Sequence, residues 1–439
     1  MSRRFLANLS ETKEQTEEQI AAHLCDLVRS HDEWRSHKCI NLQAADSAIS
    51  PMAESLLRSD LERRTITGEI GSRTSKGARY ADEIEELTAK IAKELFDCTF
   101  VEHRAITTSI ADAMLIRVLT KPGDTILALE EPRGHPTWRE IGYSGFRDLS
   151  IVDIPFDYEN WNIDLEGLRS VVQSLRGKKV PLAIVGSSLM LFPYPLADIR
   201  EITEELGTKL WYDGAHVLGL IAGKKFQDPL REGADVLSGT SNKTLSGPMG
   251  GLILHNDKVI DASIRTHFPG FLSIIGHNRF ASLAITLLEF KRFGSDYAQQ
   301  IIANAKALAD ALQNEEINVL AKNHGYTQSH MLLVNVKDLG GLVASKKLED
   351  SNIICSACKL FSKQEPFHGI RIGVTEVTRH GMKEHDMLTL ASLIKKVIRD
   401  GVDVKSEVAS FNEGFQDVLY RFWQSDTQDI SHSKMSEYR

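Results

Sequence analysis

Apolar positions recur along this chain in two periods, and the change from one to the other outlines the fold. Between Ser10 and His37, Ile20, Leu24, Leu27 and Val28 return at three- and four-residue spacing in a polar background. That spacing predicts an amphipathic helix, started by Ser10 and the acidic residues after it, that packs as an N-terminal arm on something larger. Residues 41–80 lose the period and scatter Gly68, Gly71 and Gly77 among Arg and Thr residues. An irregular stretch of this length suggests a segment that meets a ligand or a partner subunit, the bland alternative being a surface connection. From Asp82 to Phe96 a second helix pattern sets Ile84, Leu87, Ile91 and Leu95 on one face.

Beyond Phe96, short apolar runs alternate with helical patterns. Strands are expected at 125–129, 150–154, 182–185, 209–212, 236–237 and 251–254, with helices opening at Thr107 and over 165–175 and 199–206. Such alternation predicts an α/β fold, a mostly parallel sheet covered on both faces, whose ligands bind at the strand carboxyl ends. Helix patterns at 278–293 and 297–313 lead to a smaller α+β pattern. Its strands are expected at 317–320, 331–336, 353–355 and 370–374, with a helix over 381–398. Apolar residues from Val408 to Phe422 then follow helical spacing, before a polar tail. The organisation read from this is an arm and irregular segment over 1–80, a large domain over 81–300 and a small C-terminal domain with a helical tail over 301–439.

Composition narrows the function class. The 439 residues are 42% hydrophobic and 26% charged, with a formal net charge of −8, which argues against nucleic acid or an anionic membrane as the main partner. No apolar run reaches membrane-spanning length, and the start MSRRFLANLSETKEQ lacks the apolar core of a secretory signal. Five cysteines, an odd number, suggest a reducing compartment, so a cytoplasmic protein is expected. Cys355 and Cys358 form a lone pair of candidate ligands, too few for structural zinc; they read as packing residues, and no metal is expected.

The chemistry concentrates at two polar interruptions of apolar runs. Asp213-Gly214-Ala215-His216 follows Leu210-Trp211-Tyr212, and Lys243 lies within SGTSNKTLSGPMGG, 238–251. A lysine at one strand end and a carboxylate at another suit pyridoxal 5′-phosphate: the amine forms a Schiff base and the carboxylate keeps the pyridine nitrogen protonated. A lysine in a turn is more often a solvated surface residue; the small hydroxyl and glycine neighbours, Ser241, Asn242, Gly250 and Gly251 among them, favour the phosphate-site reading. Asp213 after three inward-facing residues needs a partner, or else caps the next segment. Thr107-Thr108-Ser109 at a helix start offers a phosphate cradle or a plain N-cap. His135 stands beyond a strand end, either to stack on a cofactor ring or as a turn residue, and His216 either contacts that ring or caps. Arg371 within an apolar strand suits a substrate carboxylate, with an internal salt bridge as the alternative.

Taken together, YADEIEELTAKIAKELF, TKPGDTILAL, WYDGAH, GADVLSGTSNKTLSGPMGGLIL and HGIRIGVTEVTRHGM resemble the serine hydroxymethyltransferase family of fold-type-I pyridoxal-phosphate enzymes. The resemblance implies Lys243 as the Schiff-base lysine, Asp213 as partner of the pyridine nitrogen and His135 as the ring-stacking histidine. It also implies Thr107 and Ser109 at the phosphate and Arg371 at the substrate α-carboxylate. Gly250 and Gly251 would reach the phosphate of a neighbouring subunit's cofactor, which implies a homodimer acting on a small amino-acid substrate. Members that use tetrahydrofolate carry two tyrosines and a glutamate where this chain has Thr65, Thr67 and Ser75, and a histidine where it has Asn242; Glu69 fills the glutamate's role only if the loop shifts. Three C-terminal stretches, including GYTQSH, look closer to the folate-free threonine transaldolases. The expected activity is aldol cleavage or transfer on a β-hydroxy amino acid in specialised metabolism, with Glu69, His216 or His135 as base. Decarboxylation, β-elimination or amino transfer on a larger conjugate is the alternative, and a non-catalytic family member the third reading.

Overall fold

A central sheet of seven strands carries the cleft. The computed structural model describes residues 16–139 and 142–422. In chain order the first ten strands are β1 (Ile40–Asn41), β2 (Phe100–Glu102), β3 (Thr125–Leu129), β4 (Ser150–Ile154), β5 (Phe156–Asp157), β6 (Asn162–Ile163), β7 (Leu182–Gly186), β8 (Lys209–Asp213), β9 (Val236–Thr240) and β10 (Gly251–His255). The sheet order is β2-β10-β9-β8-β7-β3-β4. The five strands from β9 to β4 run parallel, while β10 is antiparallel to both β9 and β2. Strands buried on both faces read as continuous apolar runs, and β7, β9 and β10 are buried along their whole length. The chain leaves β3 for β4 on one side and returns to β7 on the other, so the loops after β3 and β7 diverge and open a crevice at the carboxyl edge.

The six strands expected in the large domain all form, some one to three residues longer than their apolar cores; β2 and the helix Lys258–His267 carry no signal strong enough to have been expected. The first helix among the described residues, α1 (Glu17–Asp32), opens at Thr16 in a capping box with Gln19; Ser10 lies outside the described residues. Its stripe of Ile20, Leu24, Leu27 and Val28 is not buried by the described residues: these residues are between 46% and 61% exposed. Helix α2 (Arg79–Phe96) buries Ala81, Glu85, Thr88, Ala92, Leu95 and Phe96, and leaves Leu87 in solvent. The inward face is therefore turned from the one that the apolar residues alone suggest. Small residues let the neighbouring helix approach, and the polar ones find partners: Thr88 Oγ1 donates to Phe280 O at 3.0 Å, and Glu85 accepts from Arg73.

Helix α3 (Thr108–Leu119) packs on β9 and β10. The patterns at 278–293 and 297–313 join into one 37-residue helix, α4 (Asn278–Asn314), continuous through residue 300. The small sheet is built from β11 (Met331–Asn335), β13 (Ser356–Cys358) and β14 (Gly369–Gly373), in the order β11-β14-β13, while β12 (Ile353–Ile354) pairs with β1 instead. Residues 317–320 contribute only a bridge between Val319 and Val334. The helix expected over 381–398 starts five residues later, as α6 (Asp386–Ile398), and is preceded by a separate short helix, α5 (Thr375–Arg379); the tail pattern is helical only over Lys405–Asn412.

One buried ion pair fastens α5 to α4. Arg379 Nη2 lies 3.1 Å from Glu289 Oε2, both side chains 1% exposed, and Arg379 Nη1 donates to Tyr420 O at 2.8 Å. Removing one member strands a buried charge, so Arg379→Met should cost about 3–5 kcal/mol in equilibrium urea unfolding, with much of the loss recovered in Glu289→Met/Arg379→Met. A single-variant cost below about 1 kcal/mol, the range of exposed pairs, would contradict this.

Candidate active site

The site grows from the carboxyl end of β8. Leu210, Trp211 and Tyr212 are fully buried and hold the strand at the centre of the sheet, and Asp213 at its end is 8% exposed. Its Oδ1 accepts from Ala215 N at 2.9 Å. Burial raises the carboxyl pKa above the ordinary range, opposed by that N–H and by the nearby Lys243 and His135.

Lys243 follows β9 in a loop closed on itself: Ser241 N donates to Gly250 O at 3.0 Å, Gly247 N to Ser241 O at 2.7 Å and Ser246 N to Lys243 O at 2.9 Å. Thr244 Oγ1 donates to His216 O, so the loop is tied to the turn after β8. Ser246, in a left-handed conformation at φ 55°, bonds the Tyr297 hydroxyl on α4. Lys243 is half-buried as a residue, but its amine is packed closely enough for burial to lower its pKa to about 8. Asp213 works against that fall and Arg371 adds to it. The amine makes no ion pair among the described residues.

Arg371 reaches the same cleft from the middle of β14, its Nη1 donating to Ser188 O at 2.7 Å in the loop after β7. No carboxylate lies within ion-pair distance of it among the described residues, and its buried Nε has no partner, which removes the internal salt bridge as its explanation. His135 caps the turn Pro136–Trp138; its Nδ1 accepts from Thr137 N at 3.2 Å, so in the neutral ring the proton sits on Nε2. His216 is buried, with Nδ1 unpartnered, and burial lowers the pKa of both rings.

Thr107 is the N-cap of α3 and accepts from Ile110 N, Thr108 Oγ1 donates to Gly239 O at 3.4 Å, and Ser109 is exposed at the first turn. The free N–H groups of this helix start meet the lysine loop at Gly251, whose N donates to Ala105 O at 2.8 Å; a Cβ there would stand 2.6 Å from Thr107 O. At Gly250 a Cβ would meet Arg279 Nη1 at 2.1 Å. Both glycines therefore have a packing reason inside this chain. Asn242 accepts from Thr240 Oγ1, and Ser241 Oγ donates to Pro248 O.

Glu69 is placed elsewhere. Its carboxylate sits 3.0 Å from Arg104 Nη1 and 3.5 Å from Arg265 Nη1, and the two cavities it lines, about 210 and 190 Å³, include none of Lys243, Asp213 or Arg371. Two residues at the site were not singled out from sequence. His330 stacks on His216, ring centroids 5.8 Å apart at 16°, with Nε2 3.1 Å from Ala44 O. Asp112, on the inward face of α3, accepts from Ser238 Oγ at 3.3 Å. An acid inside the apolar run of that helix was the available signal. No group of three or more His, Cys, Asp or Glu is arranged to hold a metal ion among the described residues.

Comparison with known proteins identifies the family. The serine hydroxymethyltransferase family profile matches residues 18–394. The serine hydroxymethyltransferase of Methanothermobacter marburgensis is 39% identical over 406 residues, 91% of this chain and 95% of that protein. The one from Sulfolobus acidocaldarius is 38% identical over 424 residues, 94% and 97% of the two chains. An L-threonine transaldolase from Pseudomonas fluorescens shares the fold, with a TM-score of 0.86 at 23% identity over 100% of this chain and 98% of that one. Fold and site define a fold-type-I, pyridoxal-phosphate-dependent enzyme. The chain belongs to the serine hydroxymethyltransferase family.

The lowered pKa has a direct consequence. Because burial favours the neutral amine, Lys243 should become nucleophilic as pH rises through about 8, where an ordinary lysine needs about 10.5. In pH-dependent labelling by a small amine-reactive probe, read by peptide mass, half-maximal modification of Lys243 should fall near pH 8. A midpoint with the surface lysines would contradict the burial argument.

Proposed function

We propose that the chain binds pyridoxal 5′-phosphate at Lys243 and cleaves or transfers at Cα of a β-hydroxy amino acid. The observation carrying this is a desolvated lysine amine that shares its cleft with a buried carboxylate and an arginine lacking any carboxylate of its own. The residues present fit the cofactor: a helix start and a glycine-bordered loop for the phosphate, Asp213 for the ring nitrogen, and Lys243 for the aldehyde carbon. When bound, the cofactor supplies a conjugated ring that accepts the charge left at Cα.

Each side chain then has a separate task. Asp213 holds the proton on the ring nitrogen, and its bond from Ala215 N fixes its direction. His135 would lie against the ring of the bound cofactor, and its Nδ1, accepting from Thr137 N, leaves an N–H at Nε2. Arg371, held at one end by Ser188 O, grips the substrate carboxylate with its remaining N–H groups and so selects which Cα bond stands perpendicular to the ring. His135 is poorly suited as base because its acceptor nitrogen is already engaged, and Glu69 is tied to arginines, which leaves His216, whose Nδ1 has no partner, to take the proton of the β-hydroxyl. Thr65, Thr67 and Ser75 replace larger groups in the loop of folate-using members, which favours turnover without folate. The working unit is a homodimer, and the exposed stripe of α1 supports a second chain covering it.

Lys243→Ala should abolish turnover. Arg371→Ala should raise KM for amino-acid substrates at least about tenfold, some 1.4 kcal/mol, as expected for loss of a charge-assisted contact. Product analysis with threonine should show acetaldehyde without added tetrahydrofolate. Full activity in Lys243→Ala, or carbon dioxide or ammonia in place of an aldehyde, would overturn the reading.

A further inference from the structure

The helix that opens the phosphate cradle also carries a second carboxyl group into the pocket behind Asp213. Trp211 and Asp213 point to one face of β8, and Ser238 lies beside Asp213 in the parallel register of β8 and β9. Trp211 Nε1 donates to Ser238 Oγ at 2.9 Å, and Ser238 Oγ donates onward to Asp112 Oδ1 at 3.3 Å. Asp112 is 5% exposed, Ser238 and Trp211 fully buried. The three residues form a directed chain that ends on a buried carboxyl group close enough to Asp213 for the two charges to act on each other.

Two carboxylates this enclosed do not both ionise. Their partners decide which one keeps the charge. Asp213 has a backbone N–H at 2.9 Å, with Lys243 and His135 nearby; Asp112 has one hydroxyl donor at the longer distance. The other groups whose fields reach Asp112 are Lys243 and the Tyr143 phenol. Burial and the negative Asp213 together push the Asp112 carboxyl well above the ordinary carboxylate range.

We infer that Asp112 is a positioning residue, oriented by the Trp211–Ser238 chain and kept a neutral carboxylic acid by its burial beside Asp213, which leaves the single negative charge on Asp213, opposite the ring nitrogen. The inference rests on the reading of the cleft as a pyridoxal-phosphate site. Its structural part concerns the protein alone, so the two can fail separately.

Infrared difference spectroscopy at pH 7 on the full chain, first without cofactor and then loaded with pyridoxal phosphate, tests the protonation state. The wild-type protein should show a carboxylic-acid C=O band that shifts in D2O and is missing from Asp112→Asn. Cofactor affinity, measured by the visible absorbance of the bound form, tests the positioning role. Asp112→Asn keeps both an acceptor for Ser238 and the neutral charge, and should hold the dissociation constant within about twofold; Asp112→Leu removes the acceptor and should weaken binding at least about tenfold. No Asp112-dependent acid band, a tenfold change in Asp112→Asn, or unchanged affinity in Asp112→Leu would overturn the inference. Should Asp112→Leu fail to fold, the band and the Asn variant still decide. If the wild type does not take up pyridoxal phosphate, the functional reading falls while the band continues to report on Asp112.

Discussion

The desolvated amine of Lys243 beside the buried carboxylate of Asp213 is the constraint on which the rest of the site depends. An isolated charge of either sign would be costly at that depth, and each lowers the cost of the other. Keeping them together requires two strand ends in register, and the parallel pairing of Asp213 with Ser238 supplies it. Trp211 and Tyr212 hold β8 in the centre of the sheet, where water cannot screen the pair. The loop bearing Lys243 is closed by its own backbone bonds and pinned to α4 by the Ser246–Tyr297 contact, so the amine has little freedom to leave.

Arg371 must arrive from the other sheet, and a second buried arginine fixes that approach. Arg133 is fully buried after β3, with its guanidinium between 5.0 and 5.3 Å from the ring centres of Phe156, Tyr158 and Trp161. It donates to Leu189 O beside the large sheet and to Leu360 O just past β13, in the small sheet. This cation is stabilised by aromatic faces and carbonyl dipoles, with no carboxylate within ion-pair distance among the described residues. It clamps the two sheets at the crevice where Arg371 crosses to Ser188. The long α4 and the buried Arg379–Glu289 pair hold the same arrangement from the far side.

Much of this was legible in the sequence because sheet burial leaves a one-dimensional trace. Runs such as Leu210-Trp211-Tyr212 mark central strands wherever the chain folds, and the polar residues that interrupt them fall at strand ends. Lys243 and Asp213 stand at such interruptions and Arg371 is a cation within an apolar strand; the charges of Asp213 and Arg371 both act on the Lys243 amine. Contacts between distant parts of the chain left no such trace. Glu85 lies on the inward face of α2 because Arg73 and His277 meet it there, the latter 192 positions away; apolar periodicity instead pointed to Leu87. Asp112 depends on Ser238, 126 positions away, and His330 on Ala44. Glu69 was a candidate only through an assumed loop shift, whereas its partners Arg104 and Arg265 come from other elements. The stripe of α1 forms a helix, as its spacing predicts, and its apolar face is exposed.

The central claim is that one buried lysine forms the covalent link to pyridoxal phosphate. Incubation of the protein with pyridoxal phosphate, reduction with borohydride and peptide mass mapping tests it most directly. The account predicts a single pyridoxyl modification on Lys243, lost when that residue is replaced by alanine. Labelling spread over exposed lysines, with Lys243 unmodified, would contradict it.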